Sequence, residues 1–294
     1  MGFWPRPSAH AWLIVRFKRS IPAPVRRAIR LAQYFGLDQL DVIRRQRDPV
    51  MPPRSRIFTG TTLDYRKVGA EFLGHFVKLG HLTPDDRVLD IGSGDGRMAR
   101  ALTSFLSPAA TYEGIEIVKW GVDWCQHAIS SRYPNFRFQH ADIYNQLYNP
   151  GGATPAAQYR FPFDTEFDFV FLTSIFTHML PDDYRNYLDE IARVLKPGGR
   201  CLITMFLINA ESKAAIAAGK SQPRFRHAFD GLLLDDPNIR EAAVAYPEDE
   251  VVRDFMRRGL NLEPIRYGSW CARDRFTSFQ DILIASKGAA VSQG

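Results

Sequence analysis

The chain has 294 residues, of which 45% are apolar, 24% charged and 13% aromatic, and its formal net charge is +6. This is enough apolar sequence to bury a full α/β core, which excludes a disordered or low-complexity chain. Cys125, Cys201 and Cys271 are scattered, without a Cys-x-x-Cys pair, so the sequence indicates neither a disulfide framework nor a zinc site.

Charge is unevenly placed. Residues 1–60 hold twelve Lys or Arg against three Asp, a net +9, and the remainder carries −3. The apolar run 11–15 is too short to span a bilayer and lacks an export cleavage pattern, so the expectation is a cytoplasmic chain, possible at the inner membrane face only as a peripheral protein. Arg26, Arg27 and Arg30 alternate with Val25, Ala28, Ile29, Leu31 and Phe35, after Trp12, Leu13, Ile14 and Phe17. Either residues 1–47 meet an anionic membrane surface, the negative face of a partner or nucleic acid, or they form a helical lid packed on the domain with its arginines in water.

Asp48-Pro-Val-Met-Pro-Pro-Arg54 cannot be helical and ends this arm. Val68, Phe72, Phe76 and Leu79 recur at helical spacing and predict a helix over 64–79 that covers a cofactor side. The segment Arg87-Val-Leu-Asp-Ile-Gly-Ser-Gly-Asp-Gly-Arg97 then reads as a buried strand, a glycine-rich turn and a helix. Arg97 stands where a dinucleotide fingerprint wants its third glycine, so no pyrophosphate cradle is spelled out. Helices are predicted over 97–106, 120–131, 182–195 and 247–258, and strands over 111–117, 136–142, 167–174, 200–207, 262–268 and 278–285. Two stretches read as insertions. Residues 143–166, with Tyr159-Arg-Phe-Pro-Phe163, suit an aromatic substrate wall, and 209–246 suit a cap over the pocket. Domain boundaries are expected at 1–60 for the arm, 61–288 for the catalytic domain and 289–294 for a tail.

Val88-Leu-Asp-Ile-Gly-Ser-Gly-Asp-Gly96 resembles the first motif of class I S-adenosylmethionine-dependent methyltransferases. Thr111-Tyr-Glu-Gly-Ile-Glu-Ile117, Phe136-Arg-Phe-Gln-His-Ala-Asp142, Phe167-Asp-Phe-Val-Phe-Leu-Thr-Ser174 and the Lys-Pro-Gly-Gly turn at 196–199 follow in the order of that family. The resemblance covers roughly 68–286 and resembles bacterial members of uncharacterised acceptor. It implies a Rossmann-like α/β fold: a seven-stranded, mostly parallel sheet with a reversed C-terminal hairpin and helices on both faces. It also implies S-adenosyl-L-methionine as cofactor. Asp90, Gly92, Ser93, Gly94 and Gly96 would hold its methionyl end, Glu116 and Ile117 the ribose, and Asp142 and Ile143 the adenine, with Thr173 at the end of the fourth strand.

His178 follows that strand and is either a proton acceptor or a packed residue. Tyr144, Tyr148, Trp270 and Arg273 are the candidates for contact with an acceptor, each with an ordinary packing alternative. No metal-ligand cluster is present in the pattern. The functional expectation is O-methylation of a small-molecule, glycan or lipid-linked acceptor. The alternatives are an RNA or protein methyltransferase, or a cofactor-binding protein without transfer activity. Nucleic acid is disfavoured because the catalytic portion is slightly acidic.

Overall fold

The computed structural model describes residues 23–60, 64–164 and 167–288. The expectations for Trp12, Leu13, Ile14, Phe17, the 289–294 tail and the side chains of Arg26 and Arg27 lie outside the described residues. The chain divides into two compact units, Met1–Thr62 and Leu63–Gly294.

In the first unit, helix α1 (Ala23–Ile43) runs for 21 residues. The left-handed Arg45, at φ 56°, ends it. The following chain folds back along the helix: the Arg54 guanidinium donates to Asp38 at 2.5 Å and to Asp41 at 2.7 Å, and Arg47 lies 3.4 Å from Asp38.

The second unit is built on one sheet. Helix α2 (Tyr65–Lys78) precedes β1 (Arg87–Ile91), α3 (Arg97–Leu102), β2 (Thr111–Glu116), α4 (Lys119–Cys125), which continues as a π-turn at Gln126–Ser130, and β3 (Phe136–His140). After β4 (Phe167–Leu172) come α5 (Pro181–Val194) and the 14-residue β5 (Leu195–Ile208). Helix α6 (Ala210–Ala217), β6 (His227–Phe229), β7 (Leu232–Leu234) and β8 (Val244–Pro247) fill the second insertion. Helix α7 (Glu248–Arg257), β9 (Leu260–Leu262) and β10 (Asp281–Lys287) complete the unit.

The strand order β3-β2-β1-β4-β5 is parallel throughout, and β10 and β9 extend it antiparallel from β5. These seven strands form the expected sheet. The described residues hold ten strands rather than seven, because the tail of β5 also pairs with β8, and β8 leads to β7 and β6. The run 209–246 lacks a hydrophobic repeat, and its three short strands are stabilised by the neighbour they join rather than by local pattern.

Alternation along the central strands assigns the two faces. Leu89 and Ile91 of β1 and Val170 and Leu172 of β4 pack with Tyr184, Leu188 and Ile191 of α5 and Val251 and Phe255 of α7. On the other face, Phe76 of α2 meets Phe169 and Phe171 at ring-centroid distances of 5.6 and 4.3 Å. Each such buried aromatic contributes about 1.5–3 kcal/mol. Helix α5 starts on Pro181 with Asp182 and Asp183 in its first turn, where carboxylates complement the helix dipole.

The aromatic wall expected of 143–166 is corrected in part. Phe161 and Phe163 are buried in the core beside Tyr187 and Phe167, and Arg193 donates to both of their carbonyls. Tyr144, Leu147 and Tyr148 are the large hydrophobic residues described in this segment that face solvent.

Candidate cofactor and acceptor site

All four parallel strands from β3 to β4 end at one edge of the sheet, and the glycine turn between β1 and α3 lies at its centre. Gly92 and Gly96 have φ of +82° and +85°, a region that L side chains rarely adopt. An added Cβ at Gly92 would stand 2.1 Å from Cδ1 of Ile175, and one at Gly96 would stand 2.8 Å from Cδ1 of Ile129. Both positions therefore need glycine for conformation and for room. From α2, the buried Tyr65 hydroxyl donates to the Asp95 carbonyl at 3.0 Å, pinning the turn from above. The sequence placed this position within the helix expected over 64–79 and gave no sign of that contact.

Glu116, at the end of β2, is 6% exposed. Its carboxylate accepts from the amides of Gly94 and Val118, each at 2.7 Å. Burial raises its pKa, and hydrogen bonds with the backbone of Val118, Gly94 and Ile117 oppose the rise. An ionised carboxylate offers about four acceptor directions, so these amides leave capacity for a ligand hydroxyl. Ile117 is half-buried beside it, and its carbonyl lies 3.1 Å from Nε2 of the exposed His140.

Asp90 lies beneath the turn. It is 1% exposed, accepts from the Tyr112 hydroxyl through Oδ2, and leaves Oδ1 without a partner. Burial pushes its carboxyl up to about 8, with the Tyr112 hydrogen bond acting against this. The Ser93 hydroxyl is likewise buried and unpartnered. Buried polar atoms without partners are rare in folded proteins. Two of them here, next to backbone that no side chain could occupy, fit a ligand with polar groups of its own.

Ile143 is buried, and its carbonyl accepts from the Asn149 side chain at 3.0 Å. Asp142 is exposed beside it. Together they continue from β3, whose His140 is in register with Glu116.

The segment after β4 supplies the other wall. Thr173 is half-buried, and Ser174 adopts the left-handed φ of +63°. A non-glycine residue there costs about 1–2 kcal/mol. Three contacts hold it: its amide donates to Thr204 Oγ1 at 2.8 Å, its hydroxyl to Gln280 Oε1 at 3.0 Å, and its carbonyl accepts from Thr177 at 3.0 Å. Thr204 and Gln280 were not singled out in the sequence, since only pairing of β5 with β10 brings them together.

His178 ends the turn Phe176–His178. Its Nδ1 is 2.8 Å from the carbonyl of Glu241. A carbonyl can only accept, so Nδ1 carries the proton and the neutral ring keeps its lone pair on Nε2. Burial lowers the imidazole pKa below its ordinary value, against the hydrogen bonds to the backbone of Glu241 and Ala242. The Tyr148 ring packs edge-on at 5.6 Å, and the Glu241 carboxylate accepts from the Gln146 amide at 2.7 Å. The two insertions thus meet at His178. Tyr144 and Tyr148 stay 46% and 42% exposed.

Trp270 and Arg273 are corrected. Trp270 is 1% exposed and donates to Asp281 at 2.8 Å, so it offers no face to a sugar. Arg273 is 7% exposed and is engaged by Glu211, Asp281 and the Gly268 carbonyl, so it has no reach to an anionic acceptor. Among the described residues there is no group of three or more His, Cys, Asp or Glu placed to hold a metal ion. No helix among them is long and apolar enough to cross a membrane.

A glycine turn on a central parallel strand, with a carboxylate at the end of the next strand, defines a Rossmann-like nucleotide-cofactor domain. Residues 88–199 match the family model of the methyltransferase domain, the class to which the sequence motifs point. Two curated relatives share one name. The phthiotriol/phenolphthiotriol dimycocerosates methyltransferase of Mycobacterium tuberculosis is 32% identical over 113 residues, 38% of this chain and 35% of that protein. Its Mycobacterium ulcerans counterpart is 31% identical over 118 residues, covering 40% and 36%. The chain thus spans about a third of the length of these relatives. Among solved structures, the PH0226 protein of Pyrococcus horikoshii shares the fold, with a TM-score of 0.53, 15% identity and coverage of 81% of this chain and 96% of that one.

Proposed function

We propose that the chain methylates a hydroxyl group of a small-molecule, saccharide or lipid-linked acceptor, with His178 as the proton acceptor. The observation that carries this reading is the fixed tautomer of His178, which points a neutral, basic Nε2 away from the Glu241 carbonyl. S-adenosylmethionine, when bound, supplies a methyl group made electrophilic by its sulfonium sulfur. Gly92, Gly94 and Gly96 would hold its amino-acid end with Ser93 and Asp90, Glu116 with Ile117 its ribose, and Asp142 with Ile143 its adenine, while Thr173 would border the reacting group. Nε2 takes the hydroxyl proton as the acceptor oxygen becomes the nucleophile, and Tyr144 and Tyr148 border the entering acceptor. A hydroxyl is a weak nucleophile until that proton leaves, and a positioned base contributes about 10²–10⁴-fold.

Support for the acceptor class comes from two sources. Residues 61–294 carry a net charge of −3, which suits a neutral acceptor better than a polyanion. The matched mycobacterial relatives are named as methyltransferases of phthiotriol and phenolphthiotriol dimycocerosates. Labelled methyl transfer to extracted lipid, glycan and RNA fractions tests the reading. Wild-type protein should label the lipid or glycan fraction, and His178→Ala should lower kcat by about 10²-fold or more with unchanged cofactor affinity. Because burial holds the imidazole below 6.5, the wild-type rate should persist as pH falls through that value and drop only below it. Label confined to RNA, or full activity in His178→Ala, would sink the proposal.

A further inference from the structure

The feature that the methyltransferase site leaves unused is helix α1. Val25, Ile29 and Ile43 fall on one line along this helix, and Leu31, Phe35 and Val42 fall on the adjoining one. All six are between 42% and 76% exposed. They cover roughly half of the helix circumference with apolar surface. Scattered apolar residues are normal on a surface, whereas a continuous stripe of this length marks an interaction site.

The charge beside the stripe narrows the partner. The helix carries two acidic residues, Asp38 and Asp41, and both are held by Arg54, so neither projects free negative charge. Arg30 is exposed within the helix, and Arg44 and Arg45 are exposed just after its last turn. Residues 1–60 as a whole are at +9. A second copy of this segment would bring like charge against like charge. Nucleic acid would meet the arginines and leave the apolar stripe in water. An anionic bilayer takes the stripe among its acyl chains and the arginines among its headgroups.

We propose that α1 lies flat on an anionic lipid surface, with Ile29 and Phe35 inserted and Arg44 and Arg45 at the headgroups. This goes beyond the reading of the catalytic site and does not depend on it, because lipid binding needs neither cofactor nor turnover.

The test is flotation of the full-length chain with two kinds of vesicle, phosphatidylcholine alone and an equimolar mixture of phosphatidylcholine and phosphatidylglycerol. Binding to the mixture should exceed binding to the neutral vesicles by about tenfold or more and should weaken with salt. Ile29→Glu with Phe35→Glu should abolish it while leaving the affinity for S-adenosylmethionine intact, which shows that the second unit is folded. Arg44→Glu should weaken it about fivefold or more, and it keeps the test decisive if the double variant fails to fold. Three outcomes would overturn the proposal. These are no binding of the intact chain to the anionic vesicles, binding that both variants retain, or a lipid-free dimer that the double variant dissolves.

Discussion

Asp90 shows how much one residue can hold in an unfavourable state. Its carboxyl is buried, with only the Tyr112 hydroxyl as partner, and its pKa rises from the ordinary 3.8 to about 8. Between those values the folded chain keeps a proton that the unfolded chain has released, so stability falls as pH rises through that window. Asp90→Asn keeps the shape and an acceptor for Tyr112 but cannot ionise. Thermal melts from about pH 5 to about pH 8 should show the wild type losing stability and the variant losing less, so that the variant is the more stable at the upper end. Parallel curves would show that Asp90 is not the group responsible. The sequence disclosed the turn and Asp90 itself, because glycines and a strand-ending carboxylate are local signals. Tyr112 was hidden, since its role depends on the cross-strand register of β1 and β2.

At the scale of elements, the helices and strands around the sheet were legible wherever the hydrophobic period was long enough to declare itself. Helix α2 was expected over 64–79 and spans Tyr65–Lys78, and α5 was expected over 182–195 and spans Pro181–Val194. The last hairpin was less legible. Leu260–Leu262 is the short β9, and residues 263–280 form a compact loop around a buried charge, so Trp270 and Arg273 face inward. Aromatic and basic residues look alike in sequence whether they bind a ligand or satisfy a buried carboxylate. Here Asp281 decides: it is fully buried and accepts from the amides of Leu207 and Gly268 and from the side chains of Trp270 and Arg273. Arg273→Met removes the countercharge and leaves that carboxylate, so urea unfolding should show a loss of about 3–5 kcal/mol. A loss below about 1 kcal/mol would mean that the amides alone satisfy Asp281.

At the scale of the whole second unit, the stretch 209–246, expected as a cap without clear structure, holds α6, β6, β7 and most of β8. Its three strands hang from β5, whose Phe206–Ile208 pair with Ala245–Pro247, and the same strand pairs further back with β4 and β10. In hydrogen exchange, the amides of β8 should therefore be protected to a degree close to those of β5 rather than exchange as a mobile cap. Exchange of β8 that is faster by several orders of magnitude would refute this coupling.

The length of β5 bears on how an acceptor gets in. Glu241, whose carbonyl orients His178, stands three residues before β8, and β8 is stitched to the strand that also carries Thr204 beneath Ser174. Swinging the second insertion aside would break that stitching and release His178 together with it. If His178 is the proton acceptor as proposed, admission of the acceptor falls to the first insertion, where the short turn bearing Tyr144 and Tyr148 is tied across by the Gln146 amide to the Glu241 carboxylate. On the proposed reading the two insertions divide two duties: the strand-bound one keeps the geometry at His178, and the turn serves as the doorway.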